Sequence, residues 1–260
     1  MPEPTPTAPA PPKKSAEAES KTDRIYRRGK IGNFIWPVSH HIITSLAAVF
    51  GFLIFKVFNR TVVIGREHVP HKPNTLIISN HQSMIDSFLV GMLAFFPKAF
   101  IKSSLIPWNP AAEENFFSPP LLGWFSDNWK CIPIKKGRRD STAIYKMSKA
   151  LKESPMTLFP EGTRTRDGSI GKARGGAGIL VLENQPVVVP VCIDGMRDVL
   201  PIGAYFPRFF KKVYVVFGEP VDLSEFYAQE KSRRAAKLIT DKIMARVQEL
   251  QDEIQVMKQK

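Results

Sequence analysis

An α/β architecture, with a central, mostly parallel sheet flanked by helices, is predicted by three features of this 260-residue sequence. Short, β-branched apolar runs recur along the chain, each closed by turn residues. Helix-length stretches separate several of them, and near-continuous apolar strands divided by helices imply a sheet covered on both faces. Hydrophobic residues make up 43% and aromatics 10%, enough for a sizeable core and too many for a disordered chain.

The first 23 residues stand outside that pattern. Six of the first twelve are proline, and an Ala/Glu/Lys/Ser stretch follows with no apolar periodicity, so residues 1–23 are expected to be a disordered tail. They do not read as a signal peptide, because the first apolar run begins late and no small-residue cleavage site follows it. Residues 24–59 form the next unit. Ile31 to Phe55 is twenty-five residues without Lys, Arg, Asp or Glu, densest from Ile42 to Phe55. Arg24, Arg27, Arg28 and Lys30 precede it, and Lys56 and Arg60 follow. Pro37 and the His40–His41 pair weaken its first half as a bilayer span, which needs ~20 apolar residues. Apolar on every face and flanked by cations suited to anionic headgroups, the run reads as a membrane-embedded or interfacial helical anchor rather than a buried helix. Spanning and dipping in are both compatible with it.

Residues 60–222 carry the alternating pattern. Thr61–Ile64 and Thr75–Ser79 read as strands, and residues 82 to 96 as a helix ending at Pro97. Lys98–Lys102, Cys131–Ile134, Met156–Phe159, Val187–Ile193 and Val213–Phe217 are further short apolar runs, with helices fitting over 140–153 and 175–184. Residues 223–260 form a last, amphipathic helix starting near Ser224. Its Ile239, Ile243, Val247, Leu250, Ile254 and Met257 recur at steps of three and four, the stripe of a helix docked on a core.

Thirty-seven Lys and Arg against twenty-four Asp and Glu leave a net charge of +13, which suits an anionic partner. Nucleic acid finds no other support: no recognised motif is present, and the basic residues are dispersed or flank the apolar run. Cys131 and Cys192 form no C-x-x-C pair, which argues against a disulfide framework and a thiolate zinc site and makes a reducing compartment the default. The Gly168–Gly178 stretch lacks P-loop spacing, and no G-x-S-x-G, H-E-x-x-H or G-x-G-x-x-G is present, so zinc hydrolase, kinase and dinucleotide-dependent dehydrogenase readings lose their main support.

Two short segments could carry chemistry. Asn80-His81-Gln82-Ser83-Met84-Ile85-Asp86 lies between a strand and a helix. Histidine suits proton removal near neutral pH, and a carboxylate on its second ring nitrogen would fix the tautomer and stabilise the imidazolium. Five helical positions turn through about 500°, some 140° from the starting face. His81 and Asp86 can therefore meet only if His81 sits in the loop or first turn and looks back over the helix start. Alone, the pair competes with a helix-capping Asn80 beside an ordinary surface histidine. The second segment is Phe159-Pro160-Glu161-Gly162-Thr163-Arg164, again at the end of an apolar run. Its carboxylate and guanidinium could hold a phosphate and a neighbouring hydroxyl; otherwise it is a tight turn closed by a Glu–Arg pair.

In this order, with Glu161 eighty positions after His81 (161 − 81), the two segments resemble the signature boxes of the glycerolipid acyltransferase family typified by 1-acylglycerol-3-phosphate acyltransferases. That family pairs N-H-x-x-x-x-D with a downstream F-P-E-G-T-R, and both stand intact here. Its proline-containing apolar strand is matched by Val189-Pro190-Val191, with Gly195 following, and its lysine before the second box by Lys102. The resemblance covers roughly residues 60 to 220. It departs in the second box, which usually ends in arginine: Lys136 stands in that place and offers charge without a bidentate fork. Lys102 is followed by Ser-Ser-Leu where a Glu often precedes the Leu, and Trp108–Ser118 looks like an insertion beside the acceptor or acyl channel.

The resemblance implies a glycerol-3-phosphate acyltransferase-like fold and a direct acyl transfer. His81, oriented by Asp86, would deprotonate a lysophospholipid hydroxyl, which attacks the thioester of acyl-CoA or acyl carrier protein. Lys102, Lys136, Glu161 and Arg164 would hold the acceptor's phosphate and glycerol, with Gly162 and Thr163 shaping the loop. No metal and no cofactor beyond the acyl donor is implied. The partners implied are the lysophospholipid, the acyl thioester, the carrier protein and a membrane lipid surface, on the cytoplasmic face of the inner membrane. Two alternatives stay open: another lysolipid acceptor such as a lyso-ornithine lipid, kept alive by Lys136, and a non-catalytic basic protein of the membrane surface.

Overall fold

The structure, a computed structural model, describes residues 30–117, 120–135, 141–228 and 230–259. The tail over 1–23 lies outside the described residues.

Helix α1 (Lys30–Phe52) continues into a π-helical turn over Leu53–Phe58 and contains Pro37. After it come β1 (Arg60–Ile64), β2 (Thr75–Ser79), α2 (Asp86–Phe95), β3 (Asn109–Ala112), α3 (Pro120–Asn128), β4 (Cys131–Ile134), α4 (Ser141–Glu153) and β5 (Met156–Leu158). The chain closes with α5 (Gly176–Asn184), β6 (Val187–Asp194), β7 (Lys212–Phe217) and α6 (Arg233–Gln259). Five strands make the central sheet in the order β1-β7-β6-β2-β5. β1 and β7 are parallel, as are β6, β2 and β5; only β6 against β7 is antiparallel. β3 and β4 form a separate parallel pair.

The near-continuous apolar strands are buried on both sides. On β2, Leu76 and Ile78 face a core shared with α4, α5 and α6, while Ile77 between them faces the core under α1 and α2. Val188 and Val189 of β6 divide in the same way. A period-2 strand can be apolar at every position only when helices cover both faces. Pro190, which has no N–H to donate, stands just past the last β6–β7 pair, Val191–Phe217. Its carbonyl accepts the Gly218 N–H at 2.8 Å.

The stripe on α6 docks as its spacing predicts: Ile239, Ile243, Val247, Leu250 and Ile254 are buried. Fully burying each such side chain contributes ~1.5–3 kcal/mol. α6 reaches the sheet beside α5, which it meets very closely. A Cβ on Gly178 would lie 1.8 Å from the Ala236 carbonyl oxygen, so only glycine fits there.

Three local expectations need correction. Lys98–Ile101 is a short helical turn rather than a strand; Phe96–Pro97 ends α2, and a four-residue apolar run has no periodicity to separate the two conformations. The helix expected from residue 82 begins at Asp86, because residues 80–85 form the turn that carries His81. The C-terminal segment opens with a separate turn over Ser224–Tyr227, and α6 starts at Arg233.

α1 inverts the usual pattern of a surface helix. Its inward residues, His40, Thr44, Ala48, Gly51 and Phe55, are buried at steps of four, four, three and four. Phe34, Ile35, Val38, Ile42, Leu46, Val49, Phe50, Leu53 and Val57 are exposed. Ile31–Phe58 is long and apolar enough to cross a membrane.

Candidate active site

β2, β5 and β6 run parallel, so their carboxyl ends meet at one edge of the sheet, where open α/β sheets bind ligands. β2 delivers Asn80 and His81 there, β5 delivers Phe159 to Arg164, and β6 delivers Gly195. Asn80 is no helix cap. Fully buried, it donates from Nδ2 to the Ile193 carbonyl at 2.9 Å and accepts the Ile193 N–H at 2.8 Å, which ties the end of β2 to β6.

His81 sits in the loop and looks back over the start of α2. Its Nδ1 lies 2.9 Å from Asp86 Oδ2. The same oxygen accepts the Gln82 N–H at 2.6 Å and the Ser83 N–H at 2.7 Å. Asp86 is wholly buried in the first turn of its helix, where these donors fix its position. Bound in this way, Nδ1 carries the proton and Nε2 is the nitrogen left to accept one. The imidazole stacks on Phe159 with ring centroids 4.3 Å apart and 19° between planes.

Glu161 binds the two boxes together. Its Oε1 accepts the His81 N–H at 3.0 Å, its Oε2 accepts the Gly171 N–H at 2.9 Å, and the Thr165 N–H donates to the His81 carbonyl at 2.9 Å. Burial pushes its carboxyl above the usual range; the two N–H donors and the His81 imidazole draw it back down. The resemblance assigns Glu161 to the acceptor; what the structure shows of it is the joining of the two boxes. Its oxygens are spent on backbone donors, it is buried, and it is absent from the walls of the cleft.

That cleft, about 1680 Å³, opens beside His81. Its lining includes the apolar Ile43, Leu46 and Phe50 of α1 with Met84, Phe88 and Phe116, and cations as well. Gly162, Thr163 and Arg164 line it, and Gly162 turns the loop at a φ of +68°, a conformation glycine takes without strain. Lys102, which the resemblance assigns to the phosphate, follows the helical turn over Lys98–Ile101, is exposed, and does not line this cleft. Lys136 lies outside the described residues, while its neighbour Lys135 lines the cleft. The apparent insertion does flank the channel, since Asn109 to Ala112, Asn115 and Phe116 form part of the wall.

Sequence reading missed two cations of the cleft and one buried lysine outside it. Arg166 and Arg174 line the cleft, and the Arg174 guanidinium approaches within 3.6 Å of a Cβ built on Gly162. The Arg174 N–H donates to the Pro160 carbonyl at 2.9 Å, which explains how a residue ten positions on (174 − 164) returns to the Arg164 loop. Lys130 is only 3% exposed; its Nζ donates to the Ile106 carbonyl at 3.0 Å and the Ser154 hydroxyl at 3.1 Å. Burial pulls this ammonium down to about 8.

A histidine hydrogen-bonded to a buried carboxylate thus stands at the wall of a cleft whose lining includes both apolar side chains and cations. The Acyltransferase family model matches residues 60–194, and the chain belongs to that family. Among curated relatives, it is 26% identical over 186 residues to a chloroplastic 1-acyl-sn-glycerol-3-phosphate acyltransferase of Arabidopsis thaliana, covering 70% of this chain and 48% of that protein. It is 27% identical over 207 residues to a 1-acyl-sn-glycerol-3-phosphate acyltransferase of Pseudomonas aeruginosa, covering 77% of this chain and 72% of that one. The chain spans about half the length of the first curated relatives it matches. Its fold is that of the crystal structure of the 1-acyl-sn-glycerophosphate acyltransferase PlsC from Thermotoga maritima, with a TM-score of 0.57, 21% identity, and 92% and 88% of the two chains covered.

Proposed function

We propose that this protein transfers a fatty acyl group from acyl-CoA or acyl carrier protein to the free hydroxyl of 1-acylglycerol 3-phosphate, giving phosphatidic acid for phospholipid synthesis. The observation that carries the reading is the His81–Asp86 pair, 2.9 Å apart, at the wall of a cleft with both an apolar and a cationic lining. His81 Nε2 takes the hydroxyl proton while buried Asp86 stabilises the imidazolium. The oxygen attacks the thioester carbonyl, the tetrahedral intermediate expels the thiolate, and the imidazolium returns the proton to sulfur. No covalent acyl-enzyme forms. Arg164 receives the acceptor's phosphate by a guanidinium fork, with Arg166, Arg174 and Lys135 adding charge around it.

The protein works at a lipid surface, on this reading, with α1 lying in the interface. The buried stripe of α1 runs from His40 to Phe55 against the catalytic domain, and its Ile43, Leu46 and Phe50 line the cleft. Were α1 to cross the bilayer, the cations of the cleft would be carried to the depth of the hydrocarbon, at several kcal/mol each. Lying flat, it buries only its apolar outer face. Two buried, free thiols suit a reducing compartment and hence the cytoplasmic face.

An acceptor panel tests the reading: lysophosphatidic acid, lysophosphatidylcholine and a lyso-ornithine lipid, each with acyl-CoA and acyl carrier protein as donors. Lysophosphatidic acid is expected to be preferred, and a clear preference for a phosphate-free acceptor would overturn the choice.

A further inference from the structure

The segment from Pro201 to Lys211 is unlike any other loop of the described structure. It presents Tyr205, Phe206 and Phe210 at 92%, 83% and 84% exposure, with Ile202 and Phe209 partly exposed beside them. Four aromatic side chains turned to water within six positions form a patch that water alone does not stabilise. Phe210 holds a φ of +61°, a conformation bulky side chains rarely take and one kept where the surroundings or function demand it. Arg208 stands among these rings and Lys211 and Lys212 follow them, and there is no Asp or Glu from residue 199 to 218.

Its position follows from the sheet. Because β7 runs antiparallel to β6, with Tyr214 opposite Asp194, the amino end of β7 lies at the edge where β2, β5 and β6 end. The loop leading into β7 therefore shares that edge with His81. β1 is parallel to β7, Arg60 opposite Lys212, so the end of the α1 segment arrives there as well. The two are joined. The Phe210 N–H donates to the Phe58 carbonyl at 2.9 Å, the Lys211 N–H donates to Asn59 Oδ1 at 2.8 Å, and the Phe58 and Phe209 rings lie 5.1 Å apart. On its inner side the Leu200 carbonyl accepts the Ser83 hydroxyl at 3.0 Å, and Ile202 lines the cleft.

We propose that the loop from Pro201 to Lys211 is a second membrane contact, inserting Tyr205, Phe206 and Phe210 among the headgroups of an anionic bilayer and, with the outer face of α1, seating the cleft on the lipid surface. This rests on the reading of α1 as an interfacial anchor. A bilayer is the occupant because the aromatic patch continues the apolar face of α1, and aromatic side chains settle at the headgroup level. These cations match anionic lipid, each attracted by ~1 kcal/mol near such a surface. With contacts on two sides, the cleft opens toward lipid, and an acyl chain can slide in from the membrane without crossing water.

The experiment places a fluorescent probe on the full-length chain at a cysteine introduced by Phe206→Cys and, separately, by Val38→Cys on the outer face of α1. The native Cys131 and Cys192 are buried, so labelling is directed to the new thiol. Vesicles of phosphatidylcholine and phosphatidylglycerol carry spin-labelled quenchers at shallow or deep positions. Emission at both sites is expected to shift to the blue and to be lost most strongly to the shallow quencher. A quenched probe at 38 with an unshifted, unquenched probe at 206 overturns the inference and leaves the anchor reading standing. Aqueous probes at both sites overturn the two together. A blue shift at 206 that ignores lipid quenchers and grows with protein density would make the occupant a second copy of the chain, and would equally overturn the inference.

Discussion

Asp86 and Arg164 end side chains at the same loop cluster, yet the structure treats them in opposite ways. Asp86 is wholly buried and gives one oxygen to three donors within 2.9 Å, while Glu161 commits each of its oxygens to a backbone N–H. The cations of the cleft are looser: Arg164 is half-buried, and Lys135, Arg166 and Arg174 are exposed. The difference fits what the proposed function asks of each region. A base has to be held in one tautomer and one orientation before substrate arrives, because misplacement is paid for in rate. A charged headgroup can be gathered by side chains that order around it, with specificity drawn from number and placement. Damage to the wired region should therefore appear in turnover, and damage to the cationic rim in acceptor affinity.

Asp86→Asn should produce the largest effect of the substitutions around the base. An amide can preserve the acceptor at the Oδ2 position but removes the charge that stabilises the imidazolium, so kcat should fall by ~10²- to 10⁴-fold with the protein still folded. Steady-state kinetics beside a circular-dichroism melt would check it; a large KM change with kcat intact would place Asp86 in the rim's category. Glu161→Gln is next. One amide oxygen can satisfy only one of the His81 and Gly171 N–H donors, leaving the other buried and facing an NH₂ group, which costs ~1–3 kcal/mol. We expect a lower melting temperature and about tenfold lower kcat, with acceptor KM changed little. A selective rise in acceptor KM would make Glu161 a binding residue.

Arg164→Ala should act on the other side of the comparison. Loss of a charge-assisted fork to phosphate, worth ~1.5–3 kcal/mol, should raise KM for a phosphorylated acceptor about tenfold or more and leave acyl-donor KM near its original value. Equal effects on both substrates would contradict the division of labour. The smallest effect concerns Lys130, wired like Asp86 but outside the cleft. Its ammonium is lowered to about 8 by burial, below the 10.5 of an exposed lysine. Between these values the unfolded chain binds more protons than the folded one, so stability rises as pH increases from about 8 to 10.5. The melting temperature of the native protein relative to Lys130→Met should therefore climb over that window, and a flat difference would mean the ammonium is not held as described.

The same contrast explains what the sequence made legible. His81 and Asp86 stood out only when N-H-x-x-x-x-D and F-P-E-G-T-R were read together as the boxes of a family, and helix geometry added that His81 must sit in the loop to meet Asp86. The sheet was readable because a strand such as Leu76-Ile77-Ile78 is apolar at successive positions only when both faces are covered. Contacts made across the chain were not. Glu161 serves the backbone N–H of a residue eighty positions earlier (161 − 81), and nothing in F-P-E-G-T-R separates that role from holding a substrate. Arg174 reaches the cleft only because its own backbone returns to Pro160. The run ending at Lys102 was misread as extended because a short apolar stretch after Pro97 coils into a helical turn without changing its pattern. For α1, composition announced an apolar helix, but which of its faces packs on the domain came only from the residues the fold buries.

The central claim is that His81 is the base of an acyl transfer to a lysolipid hydroxyl. Its most direct test is transfer from labelled acyl-CoA to lysophosphatidic acid in vesicles, with native protein and His81→Ala measured side by side. The account predicts labelled phosphatidic acid from the native chain and a loss of ~10²-fold or more in the variant, whose melting curve and vesicle binding are retained. A folded, membrane-bound His81→Ala that keeps most of the native rate would place the base elsewhere and contradict the account.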